Sequence, residues 1–185
     1  MKSADLFLAT AFVFIVTANV LAFGLLFSTM VVAHSAEASS PLAGQWRAAE
    51  TEDEKEQRLQ AIDEATERMG RFRRGKARSR LAERTAPRDV LLIDVEDSKV
   101  TIGSEDRQLE LELGRPPIEV SGSEGKAQVS AKMEGERLIV EARGEKAGRT
   151  TAYSANGDRL TIEVIMKNAQ LAGPLKYVST YVRAE

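Results

Sequence analysis

From Lys126 onward the chain alternates apolar and polar residues with a period of two: Ala127, Val129, Ala131 and Met133 are apolar, and Lys126, Gln128, Ser130 and Lys132 between them are polar. Successive side chains of a strand point to opposite faces, so this pattern predicts half-buried strands with one dry and one wet face. After a Glu134-Gly135 turn, Leu138, Val140 and Ala142 alternate with Ile139, Glu141 and Arg143, which predicts the next strand of a hairpin apart from the apolar Ile139. Asn156-Gly157 is a strong hairpin signal, because both residue types tolerate the positive φ of a type I′ turn. Leu160, Ile162, Val164 and Met166 then line one face of the strand that follows.

Followed from Asp89 to Arg183, the same rhythm predicts strands over 89–95, 99–103, 107–113, 118–121, 126–133, 137–143, 149–154, 159–167 and 175–183. The links between most of them are too short for crossover helices, so the strands should form an antiparallel meander. Pro116-Pro117 cannot donate to a ladder and predicts an edge or corner there. The expected fold is α+β, mainly β: an antiparallel meander of about eight to nine strands, curved into a barrel or half-barrel and preceded by a helical pair.

The helical pair is read from capping and charge. Thr51 with Glu54 three residues on forms a capping box, and Leu59, Ile62 and Met69 with Ala61 and Ala65 make a narrow apolar stripe. Glu54/Arg58, Glu64/Arg68 and Glu67/Arg71 fall at i,i+4, the spacing of helix ion pairs. Gly70 and Gly75 each cost helix stability, which favours two helices, 51–69 and about 71–84, over one rod. Phe72, Ala77 and Leu81 are the expected buried side of the second helix, and Pro87 ends it. Charge changes sign along the pair, acidic from Glu50 to Glu67 and basic from Arg68 to Arg88.

Ahead of this, Lys2 precedes an uncharged run from Leu6 to Ala33. Positive charge before the run predicts a cytoplasmic amino terminus with the rest of the chain outside, either periplasmic or anchored to the inner membrane. The run is long enough to span a bilayer, while Ala33-His34-Ser35 and Ala36-Glu37-Ala38 are both signal-peptide cleavage patterns. Residues 1–38 are thus a signal peptide or a membrane anchor, 39–50 a linker that leads through Trp46, 51–86 the helical pair and 87–185 the meander, with 51–185 one domain. The chain has no Cys and a single His, His34, within that leader. Outside the leader, Cys nucleophiles, His general bases, Ser-His-Asp triads and ordinary zinc sites are therefore excluded, and neither an enzyme activity nor a cofactor is expected.

Gly44-Gln45-Trp46 near the start, Tyr181-Val182-Arg183 at the end and the meander between them resemble the calycins, the superfamily of lipocalins and fatty-acid-binding proteins. The resemblance implies that Trp46 packs at the closed end of a barrel against Arg183, as a cation-π pair with a structural role. It also implies that the helices 51–84 close the mouth, as the two short helices of fatty-acid-binding proteins do. The chain departs from that pattern in having almost no first strand around Trp46, longer helices, and Tyr-x-Arg where the family more often ends Arg-x-Tyr. An open curved sheet with a helical lid, as in periplasmic lipoprotein carriers, has a similar layout, so barrel closure stays open at this point.

Three sets of residues are candidates for function. Tyr153, Tyr177 and Tyr181 line a ligand cavity or are core residues whose hydroxyls reach water at the end of the sheet. Arg71, Arg73, Arg74 and Arg78 either contact an anionic surface or form a solvated face that complements the acidic helix. The predicted topology makes lipid phosphates, and not nucleic acid, the relevant polyanion. Glu110 and Glu112, and Asp94, Glu96 and Asp97, read as the wet face of a strand and an ordinary turn, since neither set has calcium-loop spacing. The expected function is non-catalytic binding of a lipid or other apolar ligand in the cell envelope. The alternative is a membrane-tethered structural or adaptor protein whose helical pair docks on an envelope partner.

Overall fold

The computed structural model describes residues 40–105, 107–122 and 125–184. The run from Leu6 to Ala33 and both cleavage patterns lie outside the described residues. No described helix is long and apolar enough to cross a membrane.

The elements run β1 (Gly44–Ala48), α1 (Glu52–Ala65), α2 (Arg71–Thr85), β2 (Val90–Glu96), β3 (Lys99–Ser104), β4 (Arg107–Glu112), β5 (Ile118–Gly122), β6 (Gly125–Glu134), β7 (Arg137–Gly144), β8 (Ala147–Asn156), β9 (Arg159–Asn168) and β10 (Leu175–Arg183). All these strands belong to one sheet in the order β4-β3-β2-β1-β10-β9-β8-β7-β6-β5, and the paired strands are antiparallel. The short β1, which the sequence scarcely suggests, joins the two ends of the meander. Trp46 lies opposite Arg183 of β10 on one side and Leu91 of β2 on the other. Five residues suffice because both edges of the strand find hydrogen-bond partners.

The sheet closes almost completely on itself. β4 and β5 are not ladder neighbours. Leu113, just past β4, bridges to Ala131 of β6, and the Gly114 N–H donates to the Ala131 carbonyl at 2.8 Å. Pro116 and Pro117 sit in this corner between β4 and β5, where no ladder donor is required. The result is a nearly closed barrel, mainly β, with a helical pair between β1 and β2.

Successive connections of a meander alternate between the two ends of a barrel. The β1–β2 connection, which carries both helices, therefore shares its end with the β7–β8 and β9–β10 connections. The Ala172 N–H of the β9–β10 loop donates to the carbonyl of Ala65 at the end of α1, 2.8 Å away. At the opposite end stand Trp46, Arg183 and the β8–β9 turn, where the Arg183 N–H reaches the Asp158 carbonyl at 2.9 Å. Inward-facing aliphatics from all around the barrel, with Ile62 and Ala65 of α1, form one core cluster.

Several local expectations change. The β8–β9 turn centres on Gly157 and Asp158, because Asn156 pairs with Arg159, and only Gly157 takes a positive φ, +59°. Met133 is 37% exposed at the end of its strand. Ile139 is buried on the outer face opposite Ala152, which accounts for an apolar residue at a wet position. In α1 the capping box forms: Thr51 Oγ1 accepts from the Glu54 N–H at 3.2 Å, and Glu54 Oε2 accepts from the Thr51 N–H at 3.0 Å. The helix ends at Ala65 and not Met69, where the Thr66 hydroxyl turns back to the Ile62 carbonyl at 2.8 Å.

The helix faces differ most. Leu59 is 41% exposed, and Arg58 is buried in its place beside Ile62 and Ala65. Arg58 pairs with Glu50 in the link before α1 and not with Glu54, whose other oxygen accepts from the Thr180 hydroxyl at 2.5 Å. Phe72 is 97% exposed. α2 rests on the barrel through Leu81, Ala82 and Thr85 near its far end, so its first turn has nothing to bury Phe72 against.

Candidate functional site

Period two places Arg149, Thr151 and Tyr153 of β8 on the same inward face, and the register aligns them with β9 and β10. Thr151 lies opposite Val164, which lies opposite Tyr177; Tyr153 lies opposite Ile162, which lies opposite Ser179. Arg149 is one row nearer the helices, opposite Met166, itself opposite Leu175. Its Nε donates to Thr151 Oγ1 at 3.2 Å, which aims the guanidinium along the inner wall. Sequence reasoning missed Arg149, although counting back two and four residues from Tyr153 shows that it shares the tyrosine's face.

The three candidate tyrosines are not equivalent. The Tyr181 hydroxyl accepts the Arg88 backbone N–H at 3.1 Å, which ties the end of the helical segment to β10. Among the described residues the Tyr153 and Tyr177 hydroxyls have no protein hydrogen-bond partner, yet neither is sealed from water-sized space. Burial pushes the Tyr153 phenol up to about 12, against the opposing pull of Arg149. Burial likewise raises Tyr177, with Arg149 and Arg58 opposing, and raises Tyr181, with the Arg88 hydrogen bond opposing. Through neutral pH Tyr153 and Tyr177 are therefore neutral hydrogen-bond donors beside a fixed positive charge.

A buried ion pair holds the helices over this wall. Arg58 donates from Nε and Nη2 to the two Glu50 oxygens, both at 2.8 Å, and from Nη1 to Thr85 Oγ1 at 3.4 Å. The bidentate geometry ties three segments together: the β1–α1 link, α1 and the end of α2. The hydrogen bonds that Arg58 donates to Glu50 raise its pKa further, so the guanidinium stays charged despite its burial.

At the other end Trp46 is fully buried, and its Nε1 donates to the Leu42 carbonyl at 2.9 Å. The Arg183 guanidinium stands 4.4 Å from the ring centroid and donates to the carbonyls of Ala43 at 2.8 Å and Pro41 at 3.0 Å. Gly44, at φ +138°, lets Arg183 in: a Cβ there would meet the Arg183 Nη1 at 2.5 Å. This end is a plug of packed and hydrogen-bonded groups.

The four candidate arginines divide. Arg71, Arg74 and Arg78, with Met69 and Gly75, line a concavity of about 480 Å³ beside α1. Arg78 Nη2 donates to Asp63 Oδ2 at 2.7 Å, and Arg74 Nη2 reaches the Asp63 carbonyl at 3.4 Å, which leaves Arg74 Nε buried with no partner. Arg73, two residues after Arg71, falls on the outer side of the helix. A second concavity of about 430 Å³ opens between β4 and β5, lined by Leu111, Pro116, Ile118 and Val129. The carboxylates beside it are ordinary surface partners: Glu110 pairs with Lys99 at 3.0 Å and Glu112 with Arg115 at 3.3 Å. Among the described residues no group of acidic side chains could hold a metal ion.

No protein-family model matches the chain, and no curated protein matches it in sequence. Among solved structures it is similar to a secretory abundant heat soluble (SAHS) protein from Ramazzottius varieornatus, at 13% identity and TM-score 0.50, covering 78% of this chain and 96% of that one. It is similar also to human cRBP IV, at 20% identity and TM-score 0.50, covering 77% of this chain and 98% of that one. At such identities the likeness is one of fold, and together with the strand order, the two helices after β1 and the Trp46 plug it gives this chain the calycin-like barrel fold.

Proposed function

We propose that the chain is a non-catalytic binding protein that takes an apolar ligand with a polar or anionic end into the barrel beneath its helices. One observation carries this reading: Arg149, exposed at the helix end, and Tyr153 and Tyr177 below it present one positive charge and two hydroxyls without a protein partner among the described residues, beside Thr151 and Ser179 on a wall whose other side chains are mostly aliphatic. Because neither hydroxyl is sealed from water-sized space, each is open to exchange a water for a ligand oxygen. The run from Leu6 to Ala33 would deliver such a domain across a membrane or hold it there, and cell fractionation tests that placement. Organic extraction and native mass spectrometry of the purified chain should recover an apolar molecule; a chain that carries none and takes up none from a fatty-acid and retinoid panel contradicts the proposal.

A tethered adaptor is the second reading, and a specific observation favours it. Two concavities, one beside α1 and one between β4 and β5, lie on the outside of the helical pair and at the open seam of the sheet. Recovery of a stable protein partner from a ligand-free chain would favour the adaptor.

A further inference from the structure

The concavity beside α1 is lined by arginines from one side of α2. Arg71, Arg74 and Arg78 recur at i, i+3 and i+7, so they share a face of the helix, and Gly75 among them carries no side chain: a Cβ there would meet nothing within 4 Å. Arg78 grips the Asp63 carboxylate with both Nε and Nη2, which fixes the wall nearest α1. Arg71 has no carboxylate partner among the described residues, because α1 ends at Ala65 and Glu67 no longer stands one helical turn before it. Arg74 is the least settled of the three. Its Nη2 makes a 3.4 Å contact to the Asp63 carbonyl, while its Nε is buried with no partner. A guanidinium held by one long bond, with a second donor stranded, is poorly satisfied where it lies.

We infer that this concavity is a binding site for a small soluble phosphate monoester. Asp63 offsets one of the three positive charges, so the site keeps a surplus of two, which matches the charge of a phosphate monoester near neutral pH. Turning the Arg74 guanidinium into the concavity offers its Nε and Nη2 to two oxygens of one phosphate. That exchanges a long bond and a stranded donor for a bidentate pair. Arg71 meets the same group from the first turn of α2, which holds no acidic residue to compete with it. The volume of about 480 Å³ lies in the range of small-ligand clefts, about 300–1,000 Å³, and Gly75 and Met69 give an organic body room and an apolar wall. The ligand is a free molecule, since the Arg74 donors lie against α1 and not on the outer side of α2 where Arg73 and Lys76 stand. The site is apart from the inner wall of the barrel, and the inference does not depend on an apolar ligand there.

The test uses the full chain with phenyl phosphate as the probe, and inorganic phosphate and phenol beside it. In heteronuclear NMR the Arg74 Nε–H resonance should shift and saturate as phenyl phosphate is added; inorganic phosphate should move the same resonance with lower affinity, and phenol should not move it. Arg74→Gln should weaken phenyl phosphate binding about tenfold or more in calorimetry, as expected for lost hydrogen bonds to a charged group. Arg73→Gln combined with Lys76→Gln removes two charges from the opposite side of the helix, where solvent screens them, and should change binding by less than about twofold. Gly75→Leu fills the concavity and leaves every charge in place, and it should weaken phenyl phosphate more than inorganic phosphate. The absence of a saturable shift at Arg74 would overturn the inference. So would equal losses in the Arg74 and the Arg73, Lys76 variants, which would reduce the response to net charge, or a response to phosphatidylglycerol vesicles with none to phenyl phosphate.

Discussion

At one end of the barrel Trp46 is sealed by Arg183, the Leu42 carbonyl and the close approach of Gly44, and every polar atom named there has a partner. At the other, among the described residues, Tyr153 and Tyr177 keep hydroxyls without protein partners, Arg149 has no carboxylate, and a buried ion pair ties the helices together. The same sheet passes through both ends, so the difference lies in what its inward side chains were given to meet. An end whose polar atoms are met within the fold contributes stability, whereas an end whose hydroxyls are met by water can exchange that water for another group.

The contrast breaks first if the plug is removed. Trp46→Ala deletes a fully buried indole and the ring under Arg183, and should cost about 3–5 kcal/mol in chemical denaturation. A loss below about 1 kcal/mol would show that this end does not anchor the fold. Next comes the ion pair under the helices. Glu50→Ala leaves the Arg58 guanidinium buried and unpaired and should cost about 3 kcal/mol, while the Glu50→Leu, Arg58→Met pair should recover most of that. If the single and double variants are equally destabilised, packing and not charge holds the helices.

Alkaline titration separates the ends by a third route. The Tyr153 phenol rises from 10.0 to about 12 on folding. Below about pH 10 it is protonated in both states and the full stability is present; above that the unfolded state ionises first, so stability falls as the pH climbs toward about 12. Tyr153→Phe should flatten this part of the pH–stability curve. An unaltered slope would mean that the phenol is not buried as described.

The two ends also differ in how well they could be read from the chain. Strand positions followed from alternation because each residue need only choose one of two faces, their meander followed from the short links, and the corner at Pro116-Pro117 followed from the missing donors. The Trp46 end came through its resemblance to calycins, since no periodicity pairs residues 46 and 183. At the helix end, hydrophobicity placed Ile62, Ala65 and Leu81 correctly but misplaced Leu59 and Phe72. Arg58 is buried because Glu50, eight residues back and outside the helix, reaches it, and Phe72 is exposed because α2 meets the barrel only further along. Neither fact has a local signature. Arg149 did have one, in its even spacing from Tyr153, but a charged residue at an inward position is easily assigned to the wet face.

That arginine provides the finest test of the comparison. Arg149 is exposed at the helix end and makes one side-chain hydrogen bond, to Thr151, so Arg149→Ala should change stability by no more than about 0.5 kcal/mol. Its effect should fall on binding. A probe with an anionic end should lose about tenfold or more in affinity, since hydrogen bonds to charged groups are worth about 1.5–3 kcal/mol, while a probe with the same tail and a neutral end should bind unchanged. Equal losses for both probes would assign Arg149 to the shape of the wall. No loss for either would move the polar end of the ligand to Tyr153 and Tyr177, and Tyr177→Phe would then show the larger effect, because Tyr177 faces the helices across Arg58 whereas Tyr153 lies a row deeper.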